Sequence, residues 1–199
     1  MVDHGSGDVG FERKTTMRMM AIILGAGLCW SAPADATTVM KLDRAQMTEL
    51  SDAVVHVRVG TIRTVEQRPG ALATLIELEV VESFKGKHER GAAITLLQMG
   101  GTLGDLVQVI PGTSRFQSGE EVVLFLSAFQ ERFVQVGIGL GRFLVKRSGE
   151  TAVVVEELTD VAFAAPGKDG VIRPGDAPEP ARMPLRQLAA EVRRYAGVR

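Results

Sequence analysis

A mainly β domain, its antiparallel strands closed into a barrel or packed as a sandwich, is the fold that this 199-residue chain predicts. Three observations carry that prediction. Short apolar or alternating runs, seven or eight of them, follow one another at roughly 8–12-residue spacing, the pattern of an all-β domain. Turn chemistry separates them, at Arg68-Pro69-Gly70, Lys85-Gly86-Lys87, Pro111-Gly112, Ser118-Gly119-Glu120 and Ser148-Gly149-Glu150; proline presets φ there and glycine accepts a positive one. The doublet Val80-Val81 and the corner at Gly137, Gly139 and Gly141 break the strand period. Coiled strands need such bulges and corners in order to close, which favours the barrel over the sandwich.

The first 36 residues read as a leader. Arg13, Lys14 and Arg18 form a basic region ahead of an apolar run of twelve, Met19 to Trp30, and two small-x-small sites follow at Ala32-Pro33-Ala34 and Ala34-Asp35-Ala36. These are the parts of a secretory signal peptide. Twelve residues fall short of the roughly 20 that span a bilayer as a helix. Proline makes the first site a poor peptidase substrate, so cleavage is expected after Ala36; the long polar start makes Met17 an alternative initiator. Cleavage leaves 163 residues and removes Cys29, the only cysteine. An exported chain without disulfides fits a bacterial periplasm or cell surface. The leader takes three basic and four acidic residues with it, bringing the 23 and 24 of the whole chain to 20 of each. A neutral domain with interspersed signs offers nucleic acid no electrostatic footprint.

A β-domain over residues 37–163 follows. Asp43 with Gln46 reads as a capping box opening a short helix, with Met47 and Leu50 on one face. Ala53 to Ile62 is the first strand, Val55, Val57 and Val59 buried, His56 and Arg58 wet. Thr74 to Phe84 turns Ile76, Leu78 and Val80 inward and Glu77 and Glu79 outward. Ile94 to Met99 leads into the stretch that organises the chain, Gly100 to Leu126. That stretch holds a glycine pair, the Gly104-Asp105 corner, the alternating Leu106 to Ile110, and the continuously apolar Val122 to Leu126, which reads as a central strand covered on both faces. Three more strands are expected at Phe133–Val136, Phe143–Val145 and Ala152–Val155. Residues 164–183, rich in proline and glycine, read as an extended loop. The rest, 184–199, carries an amphipathic helix from about Pro184 to Tyr195, with Leu185, Leu188, Ala189 and Val192 on its apolar face.

Catalytic patterns are sparse. Gly137-Ile138-Gly139-Leu140-Gly141 lacks the spacing of a dinucleotide fingerprint and precedes a strand, so it provides no helix N-terminus for a pyrophosphate. After cleavage only His56 and His88 remain as imidazoles, read as solvated and too few for a zinc site. No G-x-S-x-G elbow exists. Glu77 and Glu79 are the nearest thing to paired carboxylates, and a wet strand face explains them. The reading is therefore no catalytic residue, no metal and no cofactor. The long Gly100–Phe116 connection is the expected binding surface, with Gly104, Asp105, Arg115 and Arg142 as candidate contact residues and a protein or cell-envelope component as partner.

The pattern G-G-x-x-G-D at Gly100 to Asp105, Pro111-Gly112, F-x-x-G-E at Phe116 to Glu120 and Val123-Leu124-Phe125-Leu126 resembles a group of uncharacterised exported bacterial proteins. Ser51-Asp52-Ala53-Val54-Val55, Phe84-Lys85-Gly86, Val136-Gly137 and Gly141-Arg142-Phe143 agree with it. The resemblance spans residues 38–147 and the last helix and implies no established activity. In layout the chain is also similar to the OB-type barrel of netrin-like domains and tissue inhibitors of metalloproteinases. That similarity implies a protease inhibitor or accessory protein as the alternative function, with a carboxylate-dependent hydrolase as a second alternative. Those inhibitors use an N-terminal cysteine, which the mature chain lacks, so inhibition would need another mechanism.

Overall fold

The computed structural model describes residues 38–40, 42–158, 162–166, 172–175 and 179–197. The predicted leader lies outside them. Among the described residues the architecture is mainly β: an eight-stranded mixed sheet, two small accessory sheets and two helices.

The predicted first hairpin is longer than its hydrophobic pattern. Its arms are β2 (Ala53–Arg68) and β3 (Ala71–Lys85), joined at Pro69-Gly70, where Gly70 has φ 75°. The inner halves are buried and the outer half of β2 is wet, so cross-strand pairing extends a strand that sequence burial alone would end at Ile62. The bulge expected at Val80-Val81 is present: Val57 pairs with Val80 and His56 with Glu82, skipping Val81.

The order in the large sheet is β13 (Arg182–Pro184), β10 (Thr151–Glu156), β9 (Arg142–Ser148), β7 (Glu121–Phe129), β2, β3, β4 (Ala93–Met99), β8 (Arg132–Gln135). Strand β8 also pairs with β7. Five strands, β7-β2-β3-β4-β8, thus form a partial ring, closed between β4 and β8 by the single parallel pair Leu96↔Phe133. A purely antiparallel barrel is corrected on both counts. The closing pair is parallel because β8 turns straight back from β7, and one pair does not make a full seam.

Burial explains the continuous apolar run. Val122, Leu124 and Leu126 point into the ring with Val55, Val57, Val59, Ile76, Leu78, Val80 and Leu96. Val123 and Phe125 point the other way, into a second core with Val54, Phe84, Phe143 and Val154. Each of the five residues of the run is fully buried, and burying such side chains stabilises by roughly 1.5–3 kcal/mol apiece. The run is central, as its composition implies.

The helices cover the second core. In α1 (Arg44–Leu50) the capping box forms as expected: the Gln46 amide donates to Asp43 Oδ1 at 2.8 Å, and the Asp43 amide donates to Gln46 Oε1 at 3.0 Å. Met47 is buried, but Leu50, expected on the same face, is 57% exposed; the helix ends there and Thr48 takes the inward place. Lys85 Nζ donates to the Thr48 carbonyl at 2.7 Å and the Ser51 carbonyl at 2.5 Å, satisfying acceptors that the helix end leaves open. Helix α2 (Leu185–Tyr195) buries Leu188, Ala189 and Val192, and Arg44 Nε ties α1 to it through Glu191 Oε2 at 2.7 Å.

Two accessory sheets complete the fold. β5 (Gly101–Leu103) and β6 (Leu106–Gln108) form a separate ribbon. β1 (Thr38–Met40), β11 (Ala162–Pro166) and β12 (Ile172–Gly175) form a three-stranded sheet. The last two fall in the segment that reads as a loop. Pro174 lies in β12, the outermost strand, and an edge strand tolerates a residue with no N–H to donate.

Candidate functional site

The glycine pair decides how the Gly100–Phe116 segment leaves the ring. Gly100 continues the pairing of β4, donating its amide to the Leu72 carbonyl at 2.8 Å, and then turns with φ 88°. Gly101, at φ 136°, packs directly on β2 and β3: a Cβ there would lie 2.5 Å from Thr74 Oγ1 and 2.6 Å from Thr64 Oγ1. Only glycine allows so close an approach. The ribbon β5–β6 then folds back over the strands.

Between this ribbon, the following loop and the strands beneath runs a groove of about 690 Å³. Ile62, Ile76, Met99, Val107, Val109 and Phe116 supply apolar side chains to its lining. Four of its polar side chains are engaged within the fold. Thr74 Oγ1 donates to the Gly100 carbonyl (2.8 Å), Gln108 Oε1 accepts from the Leu72 amide (2.7 Å), Thr113 Oγ1 donates to the Ile110 carbonyl (2.8 Å) and Ser114 Oγ donates to Gln135 Oε1 (3.0 Å). What the groove offers a ligand is therefore mainly apolar surface. Around it lie exposed Ile62, Met99, Leu103, Leu106, Val107 and Val109. A soluble surface rarely leaves such a concentration uncovered without a binding role.

The four candidate residues separate. Gly104 and Asp105 form the exposed tip of the β5–β6 ribbon, Gly104 with φ 58°; glycine first in a two-residue hairpin turn gives the type II′ form. Arg115 lines the groove and is already engaged within the fold. Arg142 is no surface arm. It is 2% exposed, with Nη2 donating to Glu120 Oε1 at 2.6 Å, Nη1 paired with Glu157, and its guanidinium 4.9 Å from the centre of the Phe116 ring. Glu120 Oε1 also accepts the Gln117 amide at 2.9 Å. Phe116 and Glu120 from one motif and Arg142 from another thus form one anchor that pins the far end of the Gly100–Phe116 segment. A polar pocket of about 260 Å³ lies beside it.

The histidine reading needs correction. His56, expected in water, is 2% exposed. Both neighbours of β2 flank it and the helix-covered core reaches its face, so alternation along one strand misjudges the environment. His56 Nε2 lies 3.0 Å from Glu121 Oε2, which also accepts from Arg147 at 2.8 Å, while Glu121 Oε1 accepts from Arg58 at 3.1 Å. His88 packs edge-on against Phe133. Glu77 and Glu79 are exposed as expected, and Glu79 reaches Arg58 only at 3.9 Å. Among the described residues no cluster of three metal-ligating side chains occurs.

The Glu121 network sets an acid limit. Burial alone would raise its pKa, but hydrogen bonds from Arg147, Arg58 and His56 outweigh that and hold it at about 2, below the ordinary 4.5. Burial, opposed by the Glu121 hydrogen bond, lowers the His56 pKa. Both groups bind fewer protons folded than unfolded, so stability is lost on acidification. The His56 contribution is lost as pH falls below 6.5, and that of Glu121 between about 4.5 and about 2. Urea unfolding across the second window is expected to show a falling midpoint in the native chain and a flatter dependence in Glu121→Gln.

No family model, curated protein or solved structure matches the chain.

Proposed function

We propose that this chain is a non-catalytic, exported binding domain that contacts a protein component of the cell envelope through the groove beneath the Gly100–Phe116 segment. One observation carries the reading: exposed apolar side chains gather around a groove in which the polar side chains of Thr74, Gln108, Thr113 and Ser114 are engaged within the fold. Such a surface favours shape and apolar contact over chemistry. The residues that resemble the exported bacterial group serve this reading, the glycine pair setting the ribbon's stance and Phe116, Glu120 and Arg142 anchoring its far end. Export rests on the leader pattern.

The test is a photoreactive residue at Val109, which is 76% exposed, introduced in native envelopes. A crosslink to a chain of different mass is expected. It should be lost from Asp105→Arg combined with Arg115→Asp. Products no different from those of a probe at exposed Glu150 would dispose of the groove as a contact site.

A second reading has its own support. The ring is proposed to be an OB-type barrel: its order, β7-β2-β3-β4-β8, closes through a parallel pair, and the helices from the two ends of the described chain pack together. Such an arrangement resembles the layout of the netrin-like inhibitors and supports a protease-associated role as the second reading. Titration against secreted metalloproteases and serine proteases tests it, and no inhibition at micromolar excess ends it.

A further inference from the structure

The β5–β6 ribbon is short, three residues a side, and hydrogen-bonded as a sheet only to itself. Isolated two-stranded ribbons are marginal in water, and a third strand stabilises them. Its turn closes on the pair Leu103↔Leu106, with Thr102↔Val107 next. A two-residue turn closes on a hydrogen-bonded pair and the pairs then alternate. The N–H and C=O of Val107 therefore point away from β5, toward the outer edge. Edge strands are ordinarily blunted by brevity, charge, proline or a bulge; β6 is short, but Leu106-Val107-Gln108-Val109 carries no charge and no proline, and the β5–β6 register runs without a bulge. Instead Val107 and Val109 are the two most exposed of the large apolar side chains, at 67% and 76%.

We propose that two copies of the chain pair antiparallel along this outer edge, about a two-fold axis at Val107. In that register Val107 exchanges both backbone hydrogen bonds with its counterpart, and Asp105 faces Val109 at each end. The ribbons merge into one four-stranded sheet. Charge permits it. Asp105 is the only charged residue between Gly100 and Ile110. The axis sets the two carboxylates four residues apart along the strands, about 13 Å, beyond the screening length of about 8 Å in physiological salt. With a formal net charge of −1, the chains also repel little as wholes. The pairing goes beyond the groove reading and does not depend on it, since it uses the backbone edge of β6 whatever the groove holds.

Sedimentation equilibrium of the purified protein is expected to give twice the mass of a single chain at micromolar concentration. Val107→Pro removes an outward N–H without touching the β5 bonds, and Val107→Lys places like charges at the axis. Both should sediment as single chains, with unfolding midpoints near that of the parent monomer. In a Cys29→Ser background, Val107→Cys should oxidise to a disulfide-linked dimer, whereas Thr102→Cys, on β5, should not. A native protein that stays monomeric throughout, or a dimer that persists in both edge variants, overturns the proposal. Should those variants fail to fold, absence of the Val107→Cys crosslink overturns it instead. A dimer without an envelope crosslink from Val109 would sink the groove reading alone, and the reverse result the pairing alone.

Discussion

Replacing Arg142 with alanine is expected to lower the unfolding free energy by about 3 kcal/mol, the lower end of the range for breaking a buried ion pair by removing one partner. The lower end applies because the carboxylates are partly wet: the side chains of Glu120 and Glu157 are 16% and 35% exposed, against 3% for Arg142. Water therefore relieves some of the charge left behind. The variant also takes the cation from the Phe116 ring and the charged partner from Glu120, so the Gly112–Phe116 end of the Gly100–Phe116 segment should loosen. Two measurements check this. Urea unfolding reads the stability, and limited proteolysis at Arg115 reads the loosening. Arg142→Lys keeps the charge but not the two-armed geometry, and should recover only part of the loss. An alanine variant as stable as the parent would mean that the guanidinium is not the anchor described.

The second large effect is expected at Gly101. Its alanine variant meets two β-branched threonines at 2.5 and 2.6 Å and must also hold φ 136°, a region L-residues avoid. Backbone strain and overpacking together should cost about 2–4 kcal/mol. The chain has a cheaper escape, which is to release the ribbon. Stability would then fall less, while the β5–β6 ribbon would become a protease-sensitive flap and the groove would lose a wall. Either outcome separates Gly101 from Gly104, whose Cβ would meet nothing within 4 Å. Gly104→Ala retains only the φ penalty and should cost about 1 kcal/mol. Equal effects at the two positions would refute the account of why the pair is glycine.

Local features were legible wherever the deciding forces are local. The capping box at Asp43 and Gln46, the turn at Pro69-Gly70, the bulge at Val81 and the amphipathic α2 each depend on residues within a few positions of one another. Asp105 and Gly104 could be placed at a turn for the same reason. Arg142 could not be placed. On a strand next to a glycine corner it looks like any exposed arginine, and its two carboxylate partners lie 22 positions before it and 15 after. His56 shows the same limit. The period of two states which face a residue shares, never what covers that face, and here a core built from the far end of the chain does so.

What the sequence by itself determined is therefore the inventory of the larger strands: where β2, β3, β4, β7, β8, β9 and β10 lie and turn, that Val122 to Leu126 is central, and that the Gly100–Phe116 segment stands apart from the regular ladder. Hydrophobic period and turn chemistry act over a handful of residues, so a linear reading captures them. Only the tertiary structure decided that five strands form a partial ring, that its closing pair is parallel, that Phe116, Glu120 and Arg142 meet, and that apolar side chains gather around one groove. These outcomes depend on pairings across tens of residues, where many registers satisfy the same local pattern and burial of the whole chain selects one.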